Sequence, residues 1–248
     1  METSLFPADV LAIGAHPDDV DLGCAGTLCK MAEAGRRVGI LDLTAGEMGT
    51  RGDKETRLRE SHASAEILGA AFRACLFLPD TRLEKNEEYE RKIVEALRIV
   101  RPRLLLVPLG FDTHPDHMAA AELAHSAWYK SGFGKYDCPL KPFRPERLVR
   151  YVLGQETHVS FVVDITAQMD KRRRAIAAFE SQFFHAKADK FEGKTRLSLP
   201  GFQDLLETRL KFYGSRILKP FGEPFVIKEL PEIKDPAELT DISWVFRE

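Results

Sequence analysis

Apolar positions fall into two rhythms along the first half of the chain. Largely apolar runs at 10–14, 38–43, 72–78 and 104–108, interrupted only by Asp42 and Arg73, read as buried strands, because a strand covered on both faces shows no polar alternation. The stretches between them change to a helical period. A helix is expected over about 22–34, stopped by Gly35, then a charged helix carrying Leu58, Ala65 and Leu68 and closed by Gly69, then a third over 87–100. Strands alternating with helices give an α/β fold, a Rossmann-like, mostly parallel sheet flanked by helices, with the active site at the C-terminal strand ends.

Beyond Met118 the rhythm loosens. A helix continues to about 131, and Cys138-Pro-Leu-Lys-Pro-Phe-Arg-Pro145 reads as extended because its three prolines forbid helix. Further strands are expected at 148–153 and 160–165, and helices at 167–179 and 203–213, before a tail containing Pro231 and Pro236. No repeat, low-complexity tract or linker interrupts this order, so residues 1–248 read as one domain. At 248 residues and 44% hydrophobic content the chain can bury a substantial core.

Composition removes several function classes. A formal charge of −2 gives no polyanion-binding surface, and no apolar stretch approaches the roughly 18 residues of a membrane span. Residues 1–7 lack the basic start and apolar centre of a signal peptide. The expectation is a cytoplasmic protein with neither nucleic acid nor membrane as partner. Cys24, Cys29, Cys75 and Cys138 have no CxxC spacing and read as small buried thiols. Lys171-Arg-Arg-Arg174 reads as a solvated helix face, and Trp244-Val-Phe246 as a packing anchor for the tail.

Candidate chemistry is concentrated in two clusters, each directly after an apolar run. In Ala15-His16-Pro17-Asp18-Asp19, His16 and Asp19 are three apart, so a chain turning into helix here presents imidazole and carboxylate to one ion, a donor pair that suits zinc. Asp18 then points elsewhere. A carboxylate beside a metal without binding it can take a proton from an attacking water. Taken alone, the cluster also fits a polar turn with Asp18 or Asp19 as helix N-cap. In His114-Pro115-Asp116-His117 two imidazoles are again three apart in a chain with seven His. One would complete a two-His, one-carboxylate metal set. The other, protonated beside a carboxylate such as Asp116, could stabilise an oxyanion.

With both motifs in view, the sequence resembles the PIG-L/LmbE-like zinc-dependent N-acetylglucosaminyl deacetylases. Further matching patches are Thr44-Ala-Gly-Glu-Met-Gly49, Arg57 with Glu60, Leu68-Gly69, Leu78-Pro-Asp80 and Glu180-Ser-Gln-Phe183. Within the family, Pro79-Asp-Thr-Arg-Leu83, Ala178-Phe-Glu-Ser-Gln-Phe183 and residues 214–225 look most like the bacillithiol-biosynthesis branch, which deacetylates N-acetylglucosaminyl-malate. The resemblance implies His16, Asp19 and His117 as ligands of one Zn2+ or another divalent transition metal. It implies Asp18 as general base and His114 as oxyanion stabiliser, with Asp116 as its partner. Arg57 matches an arginine expected to hold a substrate carboxylate, and Glu47 and Arg82 lie in loops expected to edge the pocket. It also implies a homo-oligomer, often hexameric in that branch, acting on a small-molecule N-acetyl sugar conjugate.

Two departures accompany it. Thr113 stands where some relatives carry a basic residue, and Phe202 where others have a tyrosine. Deacetylation of another N-acetyl sugar, a mycothiol-type inositol conjugate or a chitin-derived oligosaccharide, is the alternative within the enzyme class. A noncatalytic metal- or sugar-binding protein would need a ligand or the base to be missing, and all are present. A nucleotide-binding module would need a glycine fingerprint after the first strand, where the acids of the first cluster would repel a pyrophosphate.

Overall fold

The four apolar runs and the strand expected at 148–153 become the parallel strands β1 (Val10–Gly14), β2 (Val38–Asp42), β3 (Phe72–Cys75), β4 (Leu104–Pro108) and β5 (Arg147–Tyr151). The computed structural model describes residues 4–155, 157–183, 191–230, 232 and 234–237. The helices are α1 (Asp19–Glu33), α2 (Lys54–Leu68), α3 (Glu87–Val100), α4 (Pro115–Ser131), α5 (Met169–Ala177), entered through a 3-10 turn at Thr166–Gln168, and α6 (Phe202–Ser215). Two further strands, β6 (Phe161–Asp164) and β7 (Gly222–Val226), complete a seven-stranded sheet of order β3-β2-β1-β4-β5-β7-β6. β7 runs antiparallel to both its neighbours, the one exception to parallel pairing among the described strands.

Alternate residues of the central strands enter different cores. Leu11, Ile13, Leu41, Leu105 and Val107 pack on the face covered by α3 and α4, and Val10, Ala12, Ile40 and Leu106 on the face covered by α1. Both faces are therefore dry, and β1, β2 and β4 are apolar apart from Asp42, whose buried carboxylate pairs with Arg73 on β3 at 2.7 Å. The helices begin and end where short-range chemistry says they should. Asp53 caps α2 by accepting from Thr56 N at 2.8 Å, Asn86 caps α3 through Tyr89 N at 2.9 Å, and Pro115 occupies the first turn of α4.

The strand order places a topological switch at β1 and β4. These neighbours pair in parallel, yet their chains leave toward opposite halves of the sheet, β1 toward β2 and β4 toward β5. A crevice opens at such a point, and both His-Asp clusters emerge there.

α1 is broken at Cys24, whose backbone (φ −150°, ψ 18°) is not helical. Gly26 N and Thr27 N, which an unbroken helix would give to Leu22 and Gly23, donate instead to the two oxygens of buried Glu223 on β7, at 2.9 and 2.7 Å. Leu22 O in turn accepts from Arg172 Nη2 on α5 at 2.9 Å, and Arg172 Nε lies 3.3 Å from Glu223. Among the residues expected to form a solvated face, Arg172 is thus buried, while Lys171 and Arg173 pair at the surface with Glu33 and Glu207. Gly23 sits beneath Tyr151, where a Cβ would approach the ring to 2.2 Å. The Tyr151 hydroxyl donates to Ile13 O at 2.9 Å, fixing the end of β1.

All four cysteines are free, Cys24 and Cys29 buried and the other two partly so. Among the described residues no helix is long and apolar enough to cross a membrane. Trp244-Val-Phe246 and Pro231 lie outside the described residues.

Candidate metal and catalytic site

The first cluster turns directly from β1 into α1, so Asp19 is the first helical residue, three positions earlier than the apolar pattern suggests. Asp18, at the N-cap position, makes no side-chain cap bond and has φ 120°, a strained value for a residue with a Cβ. Its side chain is therefore not spent on the helix.

Asp19 stands between two imidazoles. Its Oδ1 lies 3.0 Å from His117 Nε2 and its Oδ2 3.5 Å from His16 Nδ1. Donors at about 2.0–2.1 Å from a tetrahedral ion are roughly 3.3 Å apart, so this spacing suits one zinc-sized cation. A ring nitrogen of His114 also falls within 4.8 Å of those of His16 and His117.

Carboxylates orient both rings from behind. His16 Nε2 faces Asp80 Oδ1 at 3.1 Å and Asp116 Oδ2 at 3.4 Å, leaving Nδ1 toward Asp19. His117 Nδ1 faces Asp112 Oδ2 at 3.2 Å. This is the carboxylate–imidazole arrangement that fixes metal-binding tautomers. The electrostatics agree. Burial alone would push both imidazoles down, but Asp116, Asp19 and Asp80 hold His16 well above its ordinary value, and Asp19 and Asp112 push His117 up to about 10. The site demands positive charge where its donors converge, and a divalent cation meets that demand as protons would.

Asp18 differs from its neighbour. Burial raises its carboxyl to about 7, against the opposing pull of Arg57. Asp19 is held well below the usual carboxylate range despite its burial, by His117 and His16. Two adjacent acids are thus split into one that stays ionised and one that exchanges a proton near neutrality, the separation that acid–base work requires.

His114 caps α4, its Nδ1 accepting from Asp116 N at 3.2 Å. That acceptor role puts the ring proton on Nε2. Desolvation, with His16 and His117 nearby, holds His114 below its ordinary value, so it is a neutral donor. The expected pairing of His114 with the Asp116 carboxylate is not formed: that carboxylate accepts from Thr81 N at 2.8 Å and faces His16.

Arg57 lines the cavity, but its donors are largely committed. Nη1 donates to Gly46 O at 3.2 Å, and Nη2 to Pro17 O at 2.7 Å and Asp18 Oδ2 at 3.4 Å. Gly46, at φ 66°, admits this approach, since a Cβ there would lie 2.2 Å from Nη1. Glu47 and Arg82 do not line the cavity. Both are exposed, and Glu47 Oε1 accepts from Asp80 N at 2.9 Å, bracing one loop on the next.

The cavity measures about 640 Å³ and runs from this cluster past Thr113, Leu153, Gln155 and Gln182 to α6, where Phe202 and Arg209 form its wall. Phe202 packs against Phe183 with ring centres 6.3 Å apart and offers no hydroxyl. The sequence patches around Glu60 and Ser181 meet: Ser181 N and Oγ both donate to Glu60 at 2.7 Å, and Gln182 Nε2 donates to Arg51 O at 2.6 Å.

Residues 11–128, which carry both clusters, match the family described as PIG-L: GlcNAc-PI de-N-acetylase. A diacetylchitobiose deacetylase of Thermococcus kodakarensis is 34% identical over 189 residues, 70% of each chain. The chain belongs to the PIG-L family. A 1D-myo-inositol 2-acetamido-2-deoxy-alpha-D-glucopyranoside deacetylase of Corynebacterium glutamicum is 29% identical over 51% of this chain and 55% of its own. The crystal structure of a conserved protein of Thermus thermophilus superposes with a TM-score of 0.82 at 37% identity, covering 92% of this chain and 98% of that one. The shared fold therefore extends well beyond the segment that the family description matches.

The bacillithiol branch is not singled out among these relatives, which act on chitobiose and inositol conjugates by name. Asp112 and Asp80 are not singled out by the sequence, although the structure sets them against His117 and His16. Asp112 lies two residues before His114, in the same strand-end loop, and an acid so placed was the available signal. Asp80 stood in a matching patch with nothing to connect it to His16.

Proposed function

We propose that this chain hydrolyses the acetamide of an N-acetylglucosaminyl conjugate, releasing acetate and a free amine. The observation that carries the reading is the His16–Asp19–His117 donor set with a buried, proton-exchanging Asp18 beside it. His16, Asp19 and His117 would hold Zn2+ or a related divalent metal, which when bound polarises the acetamide carbonyl and acidifies the attacking water. Asp18 takes the proton from that water and returns it to the leaving nitrogen. His114 donates from neutral Nε2 to the oxyanion as the carbonyl carbon becomes tetrahedral. Asp80, Asp116 and Asp112 hold the two ligand rings, and Arg57 ties the backbone of the ligand loop to Gly46 while opposing the rise of the Asp18 pKa.

Among such conjugates, N-acetylglucosaminyl-malate is the substrate we propose, on the strength of the resemblance in residues 79–83, 178–183 and 214–225. The reading carries with it a cytoplasmic homo-oligomer of single-domain chains over residues 1–248. A neutral chitin-derived disaccharide is the second reading, favoured by the chitobiose deacetylase relative.

Amine release from N-acetylglucosaminyl-malate, an N-acetylglucosaminyl-inositol and diacetylchitobiose, each with and without a chelator, tests both. Turnover that chelation abolishes and zinc restores is expected. Turnover on none of the three, or turnover indifferent to complete metal removal, overturns it.

A further inference from the structure

Among the described residues, the catalytic groups use every acid that lines the cavity and leave a cation there uncommitted. Asp18, Asp19, Asp80 and Asp112 are each engaged with an imidazole or with Arg57. Arg57, for its part, is bound to two backbone carbonyls and Asp18. Arg209 is different. It reaches the cavity from α6, its Nε, like that of Arg57, is shielded from solvent without a hydrogen-bond partner, and unlike Arg57 it forms no ion pair among the described residues.

α6 presents one face to the cavity. Phe202, Leu205, Leu206 and Arg209 all line it, at spacings of three, four and seven residues. Three apolar side chains therefore precede one cation along the wall. Arg196, also lining the cavity, lies over the Phe202 ring at 6.0 Å and adds a second positive charge, without an acid partner among the described residues. The charged groups felt by Arg209 are Arg172, Tyr213, Glu223 and Asp112, but burial dominates and pushes its guanidinium down to about 10. A buried donor left unpaired costs stability, so a wall of this kind is best explained by a ligand that completes it.

We infer that Arg209 receives a carboxylate on the aglycone of the substrate, with Arg196 adding positive field at the same wall. This rests on the deacetylase reading and moves the acid-recognising role from Arg57, whose two Nη groups are occupied and which already faces Asp18, to α6. The class of substrate follows: an N-acetyl sugar whose second half is anionic. A planar carboxylate fits one guanidinium flanked by leucines, because two parallel N–H donors match its two oxygens; a phosphate, whose second charge Arg196 would have to meet, is the competing anion that the binding comparison separates.

The test compares wild type, Arg209→Met and Arg209→Lys on N-acetylglucosaminyl-malate and on the neutral methyl N-acetylglucosaminide, alongside calorimetric binding of L-malate and of inorganic phosphate. In Arg209→Met the acid-to-neutral ratio of kcat/KM should fall about 10- to 100-fold, chiefly through KM, and malate binding should weaken by a similar factor. Arg209→Lys should retain part of both, and wild type should bind malate more tightly than phosphate. An unmoved ratio with unmoved malate affinity overturns the inference, as does an equal loss on both substrates or tighter binding of phosphate. If wild type cleaves neither sugar yet binds malate through Arg209, the deacetylase reading fails and the anion site stands. If it cleaves both and the ratio does not respond, the reverse holds.

Discussion

Removing Arg57 should move the pH dependence of catalysis rather than merely weaken substrate binding. Its Nη2 lies 3.4 Å from Asp18 Oδ2, with both side chains buried. At an effective dielectric constant of about 20 the gross attraction at this distance is about 5 kcal/mol, and an arginine beside an aspartate typically lowers the acid by roughly 1–3 pKa units. Burial sets the Asp18 carboxyl at about 7 with Arg57 in place. Near pH 7 about half of Asp18 is then ionised, and loss of the guanidinium, raising the pKa by roughly 1–2 units, would leave about 1–10%.

The assay is a kcat profile from pH 5.5 to 9.5 for wild type and Arg57→Met. The acid limb should shift upward by one to two units, kcat at pH 7 should drop about 5- to 50-fold, and most of the loss should return by pH 9.5. A variant with a raised KM and an unmoved kcat profile would refute the argument and restore Arg57 as a substrate-binding residue.

Two other outcomes follow from the same geometry. Asp112→Asn removes the carboxylate behind His117 Nδ1, so metal affinity measured by chelator competition should fall roughly 10- to 100-fold while the fold is retained. In metal-free protein His117 has a folded-state pKa of about 10, above its unfolded value of about 6.5. The stability it contributes is then complete below about pH 6.5 and lost as pH rises toward 10. The apo melting temperature should decline across that window, and added zinc should flatten the decline. A melting temperature that rises with pH through the window would contradict the charge balance described for the ligand cluster.

The parallel half of the sheet was legible because its strands are dry on both faces. β4 and α3 have the bounds that the apolar pattern predicts. The run at 72–78 stops being strand at Cys75, where the chain turns toward the site and Phe77 takes a positive φ. β7 was not legible. Its sequence, Gly-Glu-Pro-Phe-Val, carries a glycine, a buried charge and a proline, all poor strand formers, and it is held by what Glu223 and Phe225 pack against rather than by propensity.

The site divides in the same way. His16, Asp18, Asp19, His114 and His117 announce themselves by spacing at strand ends. Asp116 is evident in the sequence, but proximity along the chain pairs it with His114, whereas the first turn of α4 points the carboxylate across to His16. Arg209 carries no local signal at all. One arginine on an amphipathic helix becomes notable only when the acids it feels, Glu223 and Asp112, turn out to be paired with Arg172 and His117.

The break in α1 bears on how this protein can be divided. Residues 11–128 contain every proposed ligand and the proposed base and match the family description on their own. Yet the helix that starts at Asp19 is completed by Glu223 and Arg172, about 200 and 150 positions further along, which take over the amides and the carbonyl freed at Cys24. Cut from the second half, that segment would expose those groups just beyond the metal loop. The recognisable motifs are therefore not a transplantable module. Any recombination or truncation that keeps them must also carry the β7 carboxylate with its arginine, or replace both.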